Sequence, residues 1–278
     1  MPELPEVETV MRGLKPVLEG VKIDKAQAFI SKLRAPIPDN FEKSLSGKRI
    51  ERLDRRSKYV LITLEDGLVV IMHLGMSGRM TIHANNSETP ERGKHDHIVI
   101  ETERGDTIIY NDTRRFGMWV FTDITSVNEH ALIKDIGPEP LGNGFHEGVL
   151  KVGLERRKSP IKAALLDQKL VAGLGNIYVC EALWRTGIHP ARLSNTITDA
   201  EIETLVPTIR EVLSSAIKAG GSTLKDYAQV DGELGYFQHS FKAYGREGEA
   251  CLKDGCDGKI ERMVQSNRSS FFCNTCQH

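Results

Sequence analysis

Apolar positions along the chain change their period twice. Val7, Val10, Met11 and Leu14 recur at i, i+3, i+4 and i+7, which predicts an amphipathic helix over residues 5–15 with Pro5 in its first turn. From residue 21 the pattern becomes short β-branched or aromatic runs, at 21–29, 49–53, 59–64, 68–72, 97–101, 107–110 and 118–121. Turn signals such as Glu65-Asp66-Gly67 and Glu103-Arg104-Gly105-Asp106 separate them. Several short strands with few helices predict a sandwich or barrel-like domain. Past Ile136-Gly137-Pro138-Glu139-Pro140, read as a linker, helical periodicity returns at 147–157, 160–166, 177–186 and 200–219. From Tyr244 the segments are short and bounded by cysteines. The expectation is an α+β, multidomain chain: a β-rich domain with a short N-terminal helix over 1–135, a helical domain over 136–243 and a small metal module over 244–278.

Composition narrows this. The chain has 278 residues, 40% hydrophobic and 27% charged, ordinary values for a globular protein. No apolar run approaches the roughly 18–20 residues of a membrane span, and no basic-then-apolar leader opens the chain. A cytoplasmic protein without membrane association is expected. The formal net charge of −1 argues against nucleic acid, but its distribution does not. Lys43, Lys48, Arg49, Arg52, Arg55, Arg56 and Lys58 face only Glu51 and Asp54 within 43–58. Lys151, Arg156, Arg157, Lys158, Lys162 and Lys169 face only Glu155 and Asp167 within 151–169. Either run alone reads as solvated surface; two of them beside a cysteine cluster point to a phosphate-binding surface.

That cluster is Cys251-x4-Cys256, 16 residues, then Cys273-x2-Cys276. Four thiolates on two short knuckles joined by a hairpin make a closed structural zinc site, one ion per chain, with no position left for a catalytic water. Two disulfides are the alternative, and His278 is a possible competing ligand. The hairpin strands are expected within 264–272, with Gly258 at a turn. Arg268, in Asn267-Arg268-Ser269-Ser270, stands at the expected hairpin tip, where it suits a phosphate contact or plain surface. Cys180 reads as a small buried side chain in a helix.

The amino terminus carries candidate covalent chemistry. Once Met1 is removed, Pro2 has a secondary amine with a pKa near ~8, against ~10.4 for lysine, so part of it is neutral and nucleophilic at neutral pH. Attack on an aldehyde-like sugar carbon gives an iminium, a strong electron sink. Glu3 and Glu6 lie within one turn of Pro2. They suit general acid or base work, or simply complement the helix dipole.

The opening Pro2-Glu3-Leu4-Pro5-Glu6-Val7-Glu8-Thr9-Val10 resembles the signature start of the bacterial formamidopyrimidine-DNA glycosylases. Further matching runs follow in order: Arg55-Arg56-Ser57-Lys58-Tyr59, His73-Leu74-Gly75-Met76-Ser77-Gly78, Lys94-His95-Asp96-His97, Asp112-Thr113-Arg114-Arg115-Phe116-Gly117, Gly173-Leu174-Gly175-Asn176-Ile177-Tyr178 and Tyr244-Gly245-Arg246, then the cysteines. The resemblance implies an N-terminal β-sandwich and a helix–two-turn–helix domain bearing a β-hairpin zinc finger, with DNA in the cleft between the two halves. It also implies excision of oxidised purines (8-oxoguanine and formamidopyrimidines) from double-stranded DNA and strand cleavage by β,δ-elimination at such lesions or at abasic sites. The damaged nucleotide is flipped out to be reached.

By the same resemblance Pro2 attacks C1′, Glu3 donates a proton during sugar-ring opening, Lys58 assists β-elimination and Arg268 assists δ-elimination; Glu6 is grouped with them. Arg114 pairs with the orphaned cytosine while Met76 and Phe116 wedge into the stack. His73, His95, Arg157, Lys162, Asn176, Lys225 and Tyr244 match positions that touch DNA, and 220–227 matches a loop that closes over the flipped base, with paired glycines suited to a lid. Asn176 also reads as a helix N-cap. The first knuckle departs from the family's usual Cys-x2-Cys, and Asp112-Thr113 stands where many relatives have Asp-Pro. The implied protein is a bacterial, cytoplasmic, nucleoid-associated monomer. Two other readings are an endonuclease VIII-like glycosylase for oxidised pyrimidines and a non-catalytic zinc-finger DNA-binding protein.

Overall fold

The computed structural model describes residues 2–85, 91–222 and 235–278. They divide into two compact units that are discontinuous in sequence. The first comprises residues up to Lys134 with Ala219–Ser222 and Gly235–Tyr236; the second runs from Asp135 to Lys218 and from Phe237 to His278.

The first unit contains α1 (Leu4–Leu18), β1 (Ile23–Ala28), α2 (Phe41–Leu45), β2 (Ile50–Arg56), β3 (Tyr59–Leu64), β4 (Leu68–His73), β5 (Arg79–His83), β6 (Asp96–Thr102), β7 (Thr107–Asn111) and β8 (Met118–Asp123). The strands form two antiparallel four-stranded sheets, ordered β1-β6-β7-β5 and β2-β3-β4-β8. One apolar core takes Ile98, Ile100, Ile108 and Tyr110 from the first sheet and Leu53, Val60, Ile62, Val70 and Trp119 from the second, so the unit is a β-sandwich. Helix α1 closes over this core with Val7, Val10, Met11, Leu14 and Leu18, all buried. Their burial contributes on the order of 10 kcal/mol gross against an extended chain, which is why the start of the chain is fixed rather than trailing. The periodicity did not reveal α2 or β5. Five residues are too few to show a helical period, and β5 is a sheet-edge strand that buries Met80 but exposes Arg79.

The second unit contains α3 (Glu147–Glu155), α4 (Ile161–Leu166), α5 (Asn176–Thr186), α6 (Asp199–Lys218) and the hairpin β9 (Ile260–Gln265)–β10 (Arg268–Cys273). Helix α5 is central, packing on α4, α6 and β10. It follows Gly175 and stops at Gly187, whose φ of +74° allows Ile188 to donate back to the Leu183 carbonyl. Two turns join α4 to α5, and Gln168 holds them: its amide donates to the carbonyls of Leu166 and Leu174 at 3.0 and 2.9 Å, and its oxygen accepts Gly173 N–H at 2.8 Å. Residues 136–140, expected as a linker, are instead tied down. Gly137 donates to Gln168 O, Ala172 donates to Pro138 O, and Arg210 donates to Pro140 O. Cys180 is buried in α5, as expected. Among the described residues no helix is long and apolar enough to cross a membrane.

Candidate active site and zinc module

In the first unit, Pro2 is buried immediately before α1. Glu3 is the N-cap and makes a reciprocal capping box with Glu6: its side chain accepts Glu6 N–H, and Glu6 Oε2 accepts Glu3 N–H at 2.8 Å. The other Glu6 oxygen accepts Ser222 N–H at 2.9 Å and the Ser222 hydroxyl at 3.0 Å. Glu3 and Glu6 are 4% and 2% exposed. Gly221 passes so close that a Cβ there would stand 3.1 Å from the Glu6 side chain, and its φ is +79°. The bases of the 219–236 segment are pinned together, since Tyr236 donates to Ala219 O and Ser222 bridges to Tyr236. Lys225 and the rest of the expected lid, 223–227, lie outside the described residues.

Lys58 follows Ser57, which takes a left-handed φ of 55°, in the turn between β2 and β3. Arg55 fixes this turn by donating from Nη1 to Ser57 O at 3.0 Å and from Nε to Glu8 of α1 at 2.7 Å. The helix that begins behind Pro2 and the turn that carries Lys58 are thus joined through one partly buried ion pair. His73, at the end of β4, is paired with Tyr59 across the sheet, with ring centroids 5.0 Å apart. Burial, then the positive charges of Lys58 and Arg34, hold its pKa down to about 4. Gly75 N–H donates to its Nδ1 at 2.9 Å, so the ring proton is on Nε2. His95 has a buried Nδ1 with no hydrogen-bond partner among the described residues.

Met76 lies in the loop after β4, Arg114 and Phe116 in the loop before β8. Phe116 is 43% exposed, with the Arg114 guanidinium 5.1 Å over its ring. Between the loops sits Asp112, fully buried, whose sequence context marks it only as the first residue of the Asp112–Gly117 run.

In the second unit, Arg268 is exposed and opens β10, one residue past a two-residue turn, Ser266-Asn267, in which both φ values are positive. The hairpin strands therefore begin at Ile260, before the expected 264, Gly258 lies just ahead of them and not in a turn, and the chain reverses at 266–267, just before the expected tip at Arg268. Behind Arg268, the Ser269 carbonyl accepts from Lys162 Nζ and from Asn176 Nδ2, each at 3.0 Å, and Lys162 also reaches Ser270 Oγ at 2.6 Å. Lys162 is only 1% exposed, so its ammonium faces the hairpin backbone instead of the surface expected of a basic run. Asn176 is the first residue of α5, with Gly175 as N-cap; its Oδ1 is buried without a partner among the described residues. Arg157 pairs with Asp167 at 2.8 Å. Tyr244 packs edge-on against Phe271, and its N–H is held by Glu181, a fully buried carboxylate that sequence reasoning missed. The available signal was its position as the lone acid in a largely apolar helix.

Cys251, Cys256, Cys273 and Cys276 place all four sulfurs within 4.8 Å of one another, with Cys251–Cys276 at 3.7 Å and Cys256–Cys273 at 3.6 Å. Zinc–sulfur bonds of ~2.3 Å at tetrahedral angles require about 3.8 Å between sulfurs. The donor set therefore fits one structural zinc, not disulfides. The longer first knuckle is accommodated by Gly255, whose φ is +73°.

Comparison with known proteins agrees along the whole chain. Residues 1–119 match the family model of the formamidopyrimidine-DNA glycosylase N-terminal domain, residues 136–228 that of its H2TH domain, and residues 248–278 that of a zinc finger found in FPG and IleRS. The formamidopyrimidine-DNA glycosylases of Ruegeria pomeroyi and Roseobacter denitrificans are 54% and 53% identical to the chain, with all of both sequences covered in each case. Among solved structures, a Lactococcus lactis Fpg in complex with abasic-site DNA superposes with a TM-score of 0.90 at 36% identity, and MutM in complex with carbocyclic 8-oxo-G DNA with 0.89 at 37%; both cover each chain fully. With these matches over its sandwich, helices and cysteine module, the chain belongs to the formamidopyrimidine-DNA glycosylase family.

Proposed function

We propose that this chain excises oxidised purines from double-stranded DNA and then cuts the strand, with Pro2 as nucleophile, acting in the bacterial cytoplasm at the nucleoid. The observation that carries the covalent reading is the burial of Pro2 at a capped helix start. Once Met1 has been removed, the amine freed there is held in one place, which is what attack on a flipped nucleotide's C1′ requires. The secondary amine of Pro2 forms the bond to C1′, the oxidised base leaves, and Glu3 donates a proton to the ring oxygen as the sugar opens to an iminium. Abstraction of a C2′ proton expels the 3′ phosphate, and a second elimination expels the 5′ phosphate; Lys58 and Arg268 bind phosphate and assist these steps. Glu6, whose oxygens hold Glu3 N–H and Ser222, is better suited to fixing the site than to moving protons.

His73, His95, Arg157, Asn176 and Tyr244 are read as DNA contacts, and Met76, Arg114 and Phe116 as the probe that replaces the extruded nucleotide. Lys225 keeps the assignment its motif gives it. Lys162 acts by holding the hairpin behind Arg268. Zinc, when bound by the four cysteines, supplies fold and no chemistry.

Borohydride reduction during turnover on an 8-oxoguanine:cytosine duplex tests the reading. A covalent protein–DNA adduct that disappears in Pro2→Gly, while DNA affinity persists, is expected. A wild-type protein that binds the duplex and yields no adduct would establish a binding module instead, and faster cleavage of thymine glycol would move the substrate to oxidised pyrimidines.

A further inference from the structure

The two loops of the probe are not independent. A Cβ on Gly75 would stand 2.4 Å from the Phe116 backbone carbon, and one on Gly117 would stand 1.8 Å from the Tyr110 hydroxyl. A Cβ on Gly78 would stand 2.7 Å from that same hydroxyl. The loops thus touch backbone to backbone, around one phenol. Asp112 lies at the junction with all its acceptor capacity in use. Oδ1 accepts the Ser77 hydroxyl at 2.6 Å, from the first loop, and Arg114 N–H at 3.3 Å, from the second. Oδ2 accepts Gly117 N–H at 2.8 Å and the Tyr110 hydroxyl at 3.1 Å. Ser77 Oγ in turn accepts Arg114 N–H at 3.0 Å, a direct link between the loops. His97 Nε2 is 2.9 Å from the Asp112 carbonyl and anchors the hub to β6. Burial and the Asp112 charge push the Tyr110 pKa up, so the phenol stays a donor.

We propose that Asp112 is a positioning residue that locks the Met76 loop and the Arg114–Phe116 loop into one body, and so sets how strictly the base opposite the lesion is read. The inference rests on the proposed role of Arg114 as reader of that base. If the hub holds the guanidinium at one height and angle, a base with the wrong edge meets unpaired donors and is rejected. If the loops move separately, Arg114 adapts and rejection weakens.

The test is the ratio of excision rates for 8-oxoguanine opposite cytosine and opposite adenine, measured in single turnover. A purely structural defect lowers both rates alike and leaves their ratio unmoved. Asp112→Asn is nearly isosteric, but an amide has one acceptor oxygen, so its NH2 must face either Gly117 N–H or Arg114 N–H. Loss of one such charge-assisted bond is worth about tenfold, and the ratio is expected to fall by about that factor. Ser77→Ala, which removes only the hydroxyl between the loops, should lower it about threefold, and it decides the matter if Asp112→Asn does not fold. A folded variant of either kind with the wild-type ratio overturns the proposal. Arg114→Ala is the control for the underlying reading: if it leaves the ratio unchanged, Arg114 is not the reader, and the hub proposal falls with that assignment and not through Asp112.

Discussion

Glu181→Gln is expected to destabilise the second unit far more than its single-atom change suggests. Glu181 is 0% exposed. It accepts four backbone contacts from one short strap: Lys242 N–H at 3.1 and 3.0 Å to its two oxygens, Ala243 N–H at 2.9 Å and Tyr244 N–H at 2.8 Å. Three consecutive amides converge on one carboxylate, an anion nest closed by the side chain itself. A bond from N–H to a charged acceptor contributes about 1.5–3 kcal/mol and one to a neutral acceptor about 0.5–1.5 kcal/mol, so neutralising this acceptor costs about 1 kcal/mol per amide and about 3 kcal/mol in all. For a unit of this size that corresponds to a Tm decrease of about 10 °C.

Thermal melting of wild type and variant at neutral pH measures the loss, and amide exchange at 242–244 shows whether it is local. Tyr244 sits on this strap against Phe271 of β10, so DNA affinity should fall in parallel with amide protection. A Tm decrease below about 3 °C with protection unchanged would show that water replaces the carboxylate charge without cost, and would refute the reasoning.

His73 carries a pH dependence. Its folded pKa, about 4, lies below the ordinary value of 6.5, so the unfolded chain takes up a proton first as pH falls. Its contribution, up to about 3 kcal/mol, is complete above pH 6.5 and lost towards pH 4; wild-type Tm should fall more steeply across that window than that of His73→Gln, and parallel profiles would contradict the assignment. Cys256→Ser should lose the metal in an elemental assay and weaken DNA binding, with the β-sandwich melting as before; full zinc occupancy would remove Cys256 from the ligand set. Arg268→Ala should lower the slope of log affinity against log salt by about 1, whereas Lys162→Met should weaken binding at an unchanged slope, because a buried ammonium releases no counterion from DNA. A full-unit change with Lys162→Met would put that ammonium on a phosphate.

What the sequence disclosed was local. Helix α1 was legible because its core-facing residues share one stripe, and the zinc ligands because thiolate spacing within a short module nearly determines the site. Arg268 was placed at a hairpin tip because it lies between the two knuckles among small polar residues, though the tip itself was misplaced by one residue. What stayed hidden depends on partners remote in the chain. Glu6 meets Ser222 across 216 positions, Lys162 meets Ser270 across 108 and Glu181 meets Tyr244 across 63. A basic run gives no sign of which lysine will be swallowed by a hairpin that comes a hundred residues later. Only packing decides it.

The buried charges Glu6, Asp112, Lys162 and Glu181 share one arrangement that separates them from the residues proposed to meet DNA. Each is satisfied mainly by backbone groups or hydroxyls of a segment that carries a proposed contact: Glu6 by the base of the 219–236 segment, Asp112 by both probe loops, Lys162 by the Arg268 hairpin, Glu181 by the Tyr244 strap. A buried charge left unpaired is costly, so each segment is driven towards the one geometry that pairs it. The segments that carry Arg268 and Phe116 leave those side chains exposed, so burial of the side chains themselves does not fix them. They are instead held from behind, through their backbones, by charges planted in the adjacent core. This is why Arg268 and Phe116 can be exposed and still be placed. It also implies that substitutions of the holding residues should act through the placement of the contacts, while those of the exposed residues remove the contacts themselves.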